Sequence, residues 1–186
     1  MNTYKPLAKP KITQVELRER LEAKGFLDEF NKQRLSLVGV RGYYADTFGK
    51  ENENDRVFYD DALILTTGGN LYETFNFNVD PSIFKDGVAT LIGDESYDVV
   101  KHFHKGNSNY PALQIIQDKL RRDGSEEIST GRHGINFHWD NEDRSRFSLG
   151  CQTLPKSQWF RFIKRVNDLM AQMNLGHIKY FLLENE

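Results

Sequence analysis

Residues 157–173 are the one long stretch of this 186-residue chain written at helical period. Trp159, Phe162, Ile163, Val166, Leu169, Met170 and Met173 return to one side of a helical wheel, the apolar stripe of an amphipathic helix. Most of what precedes it, from Arg34 onward, is written at period two, in short runs cut by turn residues. Many short strands beside one strong helix specify an α+β domain. Its sheet is expected to be mostly antiparallel or mixed and sandwich-like, with the stripe of the helix after the Cys segment buried in the core.

The strand runs can be placed one by one. Leu35, Leu37, Val38 and Val40 lead to Arg41-Gly42-Tyr43-Tyr44, and residues 57–66 read as a second strand. Thr67-Gly68-Gly69-Asn70 is a hairpin signal because glycine accepts the positive φ of tight turns, so residues 71–77 should pair back. Further runs cover 88–92, 97–104, 113–122 (read as one strand) and 178–183. Residues 46–56 read as a solvated loop. Asp60 and Asp61 are adjacent on a strand and so point to opposite faces, which removes them as a paired acid site. At the N-terminus, Pro and Lys mark residues 1–12 as a lead-in. Thr13-Gln14-Val15-Glu16 is a capping box opening a helix that Gly25 stops, with a further turn or two over 26–32. Residues 1–33 are thus an N-terminal extension with a helix, and 34–186 the main domain.

Composition removes several function classes. A formal net charge of −2, with acids and bases interspersed, leaves no broad basic face for nucleic acid. One cysteine rules out an internal disulfide framework and an all-cysteine zinc site. No run approaches the ~18 apolar residues of a membrane span, and the first residues lack the apolar core of a signal peptide. The expected location is therefore cytoplasmic as written, with access to a cell wall only through release or export by another route. No Walker loop, dinucleotide fingerprint or internal repeat is present, so no cofactor is expected.

Chemistry concentrates between residues 130 and 159. The single cysteine, Cys151, follows Gly150, and His138 ends a strand-like run thirteen residues earlier. A thiol becomes a useful nucleophile when a base takes its proton, and a loop of this length brings the two side chains together. The N–H groups of Gly150 and Cys151 are natural oxyanion donors. The other nitrogen of His138 needs an acceptor, which a backbone carbonyl, Asn136 or His133 can supply. Tyr43, Tyr44, Tyr110 and Trp139 are candidate cleft walls. His102 and His104 share a strand face at ligand-compatible spacing, but no third ligand accompanies them, so no metal is assigned. The plain alternative is a Cys151 that merely packs and a His138 that merely satisfies a strand.

Gly134-Ile135-Asn136-Phe137-His138 followed by Ser148-Leu149-Gly150-Cys151-Gln152 resembles the active-site signature of L,D-transpeptidase (YkuD-like) domains, over residues 131–159. The resemblance implies Cys151 as nucleophile, His138 as catalytic histidine, and Ser148 and Gly150 as the motif residues before the cysteine. It also implies a sheet-rich sandwich and a peptidoglycan stem-peptide substrate. His104, Tyr110, His133, Asn136, Trp139 and Thr153 are then candidate substrate contacts. Two positions depart from the family pattern: Trp139 stands where glycine, serine or threonine is usual, and Thr153 where the family has arginine. The reaction is hydrolysis or transpeptidation of an L,D bond, with a phage-type lysis enzyme as one setting. The alternatives are a binding or accessory protein that keeps the fold around an inert cysteine, and a cysteine amidase with another substrate.

Overall fold

Helix α1 (Gln14–Ala23) begins at its cap: Thr13 Oγ1 accepts from the Glu16 N–H at 3.1 Å. The Glu16 carboxylate turns along the helix to Arg20 at 3.3 Å, so only half of the capping box forms. Gly25 takes φ +76°, and the Phe26 N–H closes on the Leu21 carbonyl at 2.8 Å, a glycine-dependent helix stop. A short α2 (Leu27–Asn31) follows. The computed structural model describes residues 9–44, 56–69, 71–142, 144–145 and 148–185. Most of the expected lead-in, most of the loop at 46–56 and Asn70 of the hairpin signal lie outside the described residues.

The strands are β1 (Ser36–Arg41), β2 (Asp61–Thr67), β3 (Leu71–Phe77), β4 (Ala89–Leu91), β5 (Glu95–Phe103) and β6 (Pro111–Ile115). Then come β7 (Asp118–Arg122), β8 (Ile128–Gly131), β9 (Asn136–Asp140) and β10 (Gln152–Pro155). Helix α3 (Lys156–Gln172) and β11 (Ile178–Glu184) complete the chain. Eight strands form one mixed sheet in the order β10-β9-β6-β5-β11-β1-β2-β3, and β4-β7-β8 form a small antiparallel one. Two pairs of the large sheet are parallel, β1 with β11 and β9 with β10. A bridge from Asn78 to Thr153 ties the end of β3 to β10, so the outer strands meet and the sheet nearly closes. The fold is α+β.

One expected strand divides. Residues 113–122 do not form a single strand: Pro111–Ile115 stays in the large sheet and Asp118–Arg122 crosses to the small one. Leu113 and Ile115 alternate into the main core, and Leu120 re-enters it from the second sheet, which is why the apolar spacing of this stretch is uneven.

The main core lies inside the curved sheet. Phe77 stacks on Phe137 at 5.8 Å between centroids, and Phe75 meets Phe162 of α3 edge-on at 5.3 Å. Trp159, Phe162 and Val166 are fully buried, as the helical stripe requires. A second cluster lies on the outer face, where Leu17 and Leu21 of α1 cover Val38, Val40, Ile64 and Phe181. The N-terminal helices therefore cover the β11-β1-β2 part of the outer face. Tyr43 packs against this cluster and its hydroxyl accepts from the Lys11 N–H, so it does not wall the cleft as expected. Tyr44 sits against Tyr43 with ring centroids 4.7 Å apart. The β6-β9-β10 half of the outer face carries the residues singled out from the sequence.

Among the described residues, no helix is long and apolar enough to cross a membrane. If α3 is a core helix, Phe162→Ala should cost about 3–5 kcal/mol and Val166→Ala less. Denaturant titration measures both, and shifts of a few tenths of a kcal/mol would mean that the stripe is not part of the core.

Candidate active site

Strands β9 and β10 run parallel with Phe137 opposite Gln152 and His138 opposite Thr153. Extending that pairing by one residue sets Cys151 beside Asn136. In a parallel pair, opposite residues share a face and alternate residues return to it. Asn136, His138, Cys151 and Thr153 therefore occupy the outer face, while Phe137 and Leu154 enter the core. His138 lies diagonally from Cys151, one strand over and two residues along, about 8 Å between Cα atoms by strand geometry. The shared face is what the sequence spacing anticipates, while the one hydrogen bond of Cys151 Sγ among the described residues runs to the Gly134 carbonyl at 4.0 Å and not to His138.

The turn before the cysteine is tightly specified. Gly150 has φ +132°, and a Cβ there would stand 2.7 Å from the Ala89 carbonyl oxygen, so any other residue would be both strained and in collision. Ser148 Oγ donates to the Cys151 carbonyl at 2.6 Å and accepts from the Gly150 N–H at 3.2 Å. Ser148 is thus a staple of the turn. The Gly150 N–H is spent on it, which corrects the expectation that both N–H groups serve an oxyanion. The Cys151 N–H, with no hydrogen-bond partner among the described residues, remains as the donor.

His138 is oriented by backbone. Its Nδ1 lies 2.8 Å from the Trp139 carbonyl oxygen, which can only accept, so Nδ1 carries the proton and Nε2 the lone pair. Tyr110 Oη donates to the same carbonyl at 2.8 Å and lies 3.3 Å from Nδ1. The acceptor for His138 is thus a backbone carbonyl and not Asn136 or His133. His104 packs against the imidazole with centroids 4.3 Å apart and the ring planes tilted by 36°. Burial, then the neighbouring His138, Lys105 and His102, push the pKa of His104 down to about 4, so it stays neutral. Its ring packs against His138 and Tyr110, and among the described residues no group of three or more His, Cys, Asp or Glu is arranged to hold a metal.

Burial pushes the His138 pKa down, and the Trp139 carbonyl and Asp140 only partly offset it. Burial also pushes the Cys151 thiol up, against hydrogen bonds from the backbone and side chain of Asn136 and the charge of Lys105. At neutral pH the resting pair is therefore a neutral thiol and a neutral imidazole. Any attack by such a thiol would need its proton to leave as the bond forms, because no thiolate–imidazolium pair stands ready beforehand.

The remaining candidates divide. His133 is pinned by buried Asp118: its backbone N–H donates to one carboxylate oxygen at 3.0 Å and Nδ1 bonds the other, while Nε2 meets Ser129 Oγ at 2.9 Å. This fastens the loop before β9, whose Gly134 carbonyl lies 4.0 Å from Cys151 Sγ. Trp139 turns to the other face, against the main core, stacking on Tyr110 at 5.4 Å beneath Lys156. Thr153 is fully buried and its hydroxyl meets Ser145 Oγ at 3.1 Å, so it faces a hydroxyl cluster and not the cleft. Sequence reasoning missed Gln114, Asp118 and Arg132. Gln114 is opposite Asn136 on β6, a pairing invisible without the sheet order.

No protein-family model matches the chain, and a search of the curated proteins finds no match either.

With burial raising the thiol, its alkylation rate with iodoacetamide should keep climbing past about pH 9. A plateau already reached at neutral pH would show a pre-formed thiolate and contradict the neutral pair.

Proposed function

We propose that this protein performs cysteine-dependent acyl transfer or hydrolysis on peptidoglycan stem peptides. The observation that carries the reading is the placement of Cys151 and His138 on the same outer sheet face, with the histidine held in the tautomer whose Nε2 is basic. The resemblance of residues 131–159 to L,D-transpeptidase domains supplies the substrate class.

The reaction follows from the groups present. Sγ attacks the scissile carbonyl while His138 Nε2 takes the thiol proton. The new oxyanion lies against the Cys151 N–H, which is fixed by the Ser148 turn before substrate arrives. Collapse breaks the C–N bond, and His138 returns its proton to the leaving amine. Water then releases the thioester in hydrolysis, or a second amine does so in transpeptidation. The packed His104 ring and the Tyr110 hydroxyl hold the imidazole in place throughout.

The raised thiol supports a competing reading, in which the fold is kept as a binding module around an inert cysteine. Incubation with purified sacculi or muropeptides, with and without an added D-amino acid, separates the two by mass spectrometry of products. Loss of a terminal residue or cross-link indicates hydrolysis, and D-amino-acid exchange indicates transpeptidation. Cys151→Ala should abolish either, and His138→Ala should lower the rate by about 10²–10⁴-fold. His177→Ala, at an exposed position before β11, should leave it unchanged. No product from any muropeptide, with a reactive thiol, would favour a cysteine amidase of another substrate. No product with an inert thiol would favour the binding module.

A further inference from the structure

The outer face beside Cys151 holds a cation without a carboxylate. Arg132 lies in the loop before β9, exposed, and no acidic side chain pairs with it among the described residues. It is nevertheless held in place. Nε donates to Gln114 Oε1 at 3.0 Å, and Nη2 bonds the same oxygen. That occupies one edge of the guanidinium and leaves the Nη1/Nη2 end, two parallel donors at the spacing of a carboxylate.

The position of that end follows from the sheet. Gln114 is opposite Asn136, and Asn136 is beside Cys151, so the three stand in a row across β6, β9 and β10. Two strand spacings separate Gln114 from Cys151, roughly 10 Å between Cα atoms, so the guanidinium held by Gln114 stands on the same outer face as the thiol. The backbone on the other side of Arg132 is immobile, because His133 is fastened to Asp118 through both its N–H and its ring. Between the cation and the thiol lies a second unfilled contact. Asn136 is 8% exposed, its Nδ2 donates to the Gly134 carbonyl at 2.7 Å, and its Oδ1 is buried with no partner. A buried acceptor of this kind awaits a donor such as a peptide N–H.

We propose that Arg132, held by Gln114, is a carboxylate-binding subsite for the acyl substrate of Cys151, with Asn136 Oδ1 accepting the substrate amide N–H between them. The site then selects a peptide whose free carboxylate lies within about one residue of the bond attacked, a span of ~3.5 Å per residue. Lys105, whose charge is felt at both Cys151 and His138, adds positive potential at the site. The proposal rests on the reading of Cys151 as the nucleophile.

The test uses two alkylating agents of nearly equal size, iodoacetate and iodoacetamide, on the full chain. The ratio of their rates at Cys151 reports whether the site favours an anion. Arg132→Gln should lower the iodoacetate-to-iodoacetamide ratio about fivefold to tenfold, the scale of a charge-assisted contact near the surface. Arg132→Lys should restore part of it. Gln114→Leu, which keeps the charge but releases it, should lower the ratio less than Arg132→Gln. A ratio unchanged in Arg132→Gln overturns the subsite and leaves the nucleophile standing. A thiol inert to both reagents overturns the nucleophile, and the subsite with it.

Discussion

The parallel pairing of β9 with β10 is the constraint on which the site depends. A slip of one residue would turn Cys151 into the core and Gln152 out of it, because side chains alternate faces along a strand. Parallel neighbours cannot be joined by a tight turn, so the chain between them must make a longer return. Side-chain hydroxyls hold that return. Ser145 Oγ lies 2.9 Å from Ser82 Oγ and 3.1 Å from Thr153, and the Ser148 N–H donates to Ser82 Oγ at 3.0 Å. Asn78 and Thr153 exchange backbone hydrogen bonds at 2.8 and 2.9 Å, which closes the sheet at the same point. Thr153 thus fixes the register of the strand that carries the cysteine, although it does not face the cleft.

The electrostatics of the site favour neutrality. Burial disfavours the charged form of every titratable group at its centre, raising Cys151 and lowering His138 and His104. The neighbouring His138 pushes His104 further toward the neutral form. The donors that favour a thiolate, Asn136 and the Lys105 charge, are in place but outweighed. A substrate that brings an anion to Arg132 and an N–H to Asn136 would complete a set of contacts that the free protein leaves open. Orientation of the nucleophile and base, more than prior ionisation, is what this geometry provides.

Much of this was legible in the sequence because it is local. The α3 stripe, the Thr13 cap, the Gly25 stop and most strands follow from periodicity and turn chemistry within a few residues. The adjacency of Cys151 and His138 was legible because a short connection limits where the chain can go. What failed depends on pairing between distant segments. Residues 113–122 divide between two sheets because Leu113 and Leu120 reach one core from different sides, and no local pattern records that. Thr153 reads as a cleft residue in the motif, and its burial comes from Ser145 and Asn78. The packing of His104 against His138 and the row Gln114–Asn136–Cys151 exist only once β5, β6 and β9 are aligned.

The central claim is that Cys151 forms a covalent acyl intermediate on this face. Rapid mixing with a stem tetrapeptide, acid quenching and intact-protein mass spectrometry test it most directly. The account predicts a transient adduct with the mass of the acyl portion, localised to Cys151 by peptide mapping. Product formed with no such adduct, or an adduct on another residue, would contradict it.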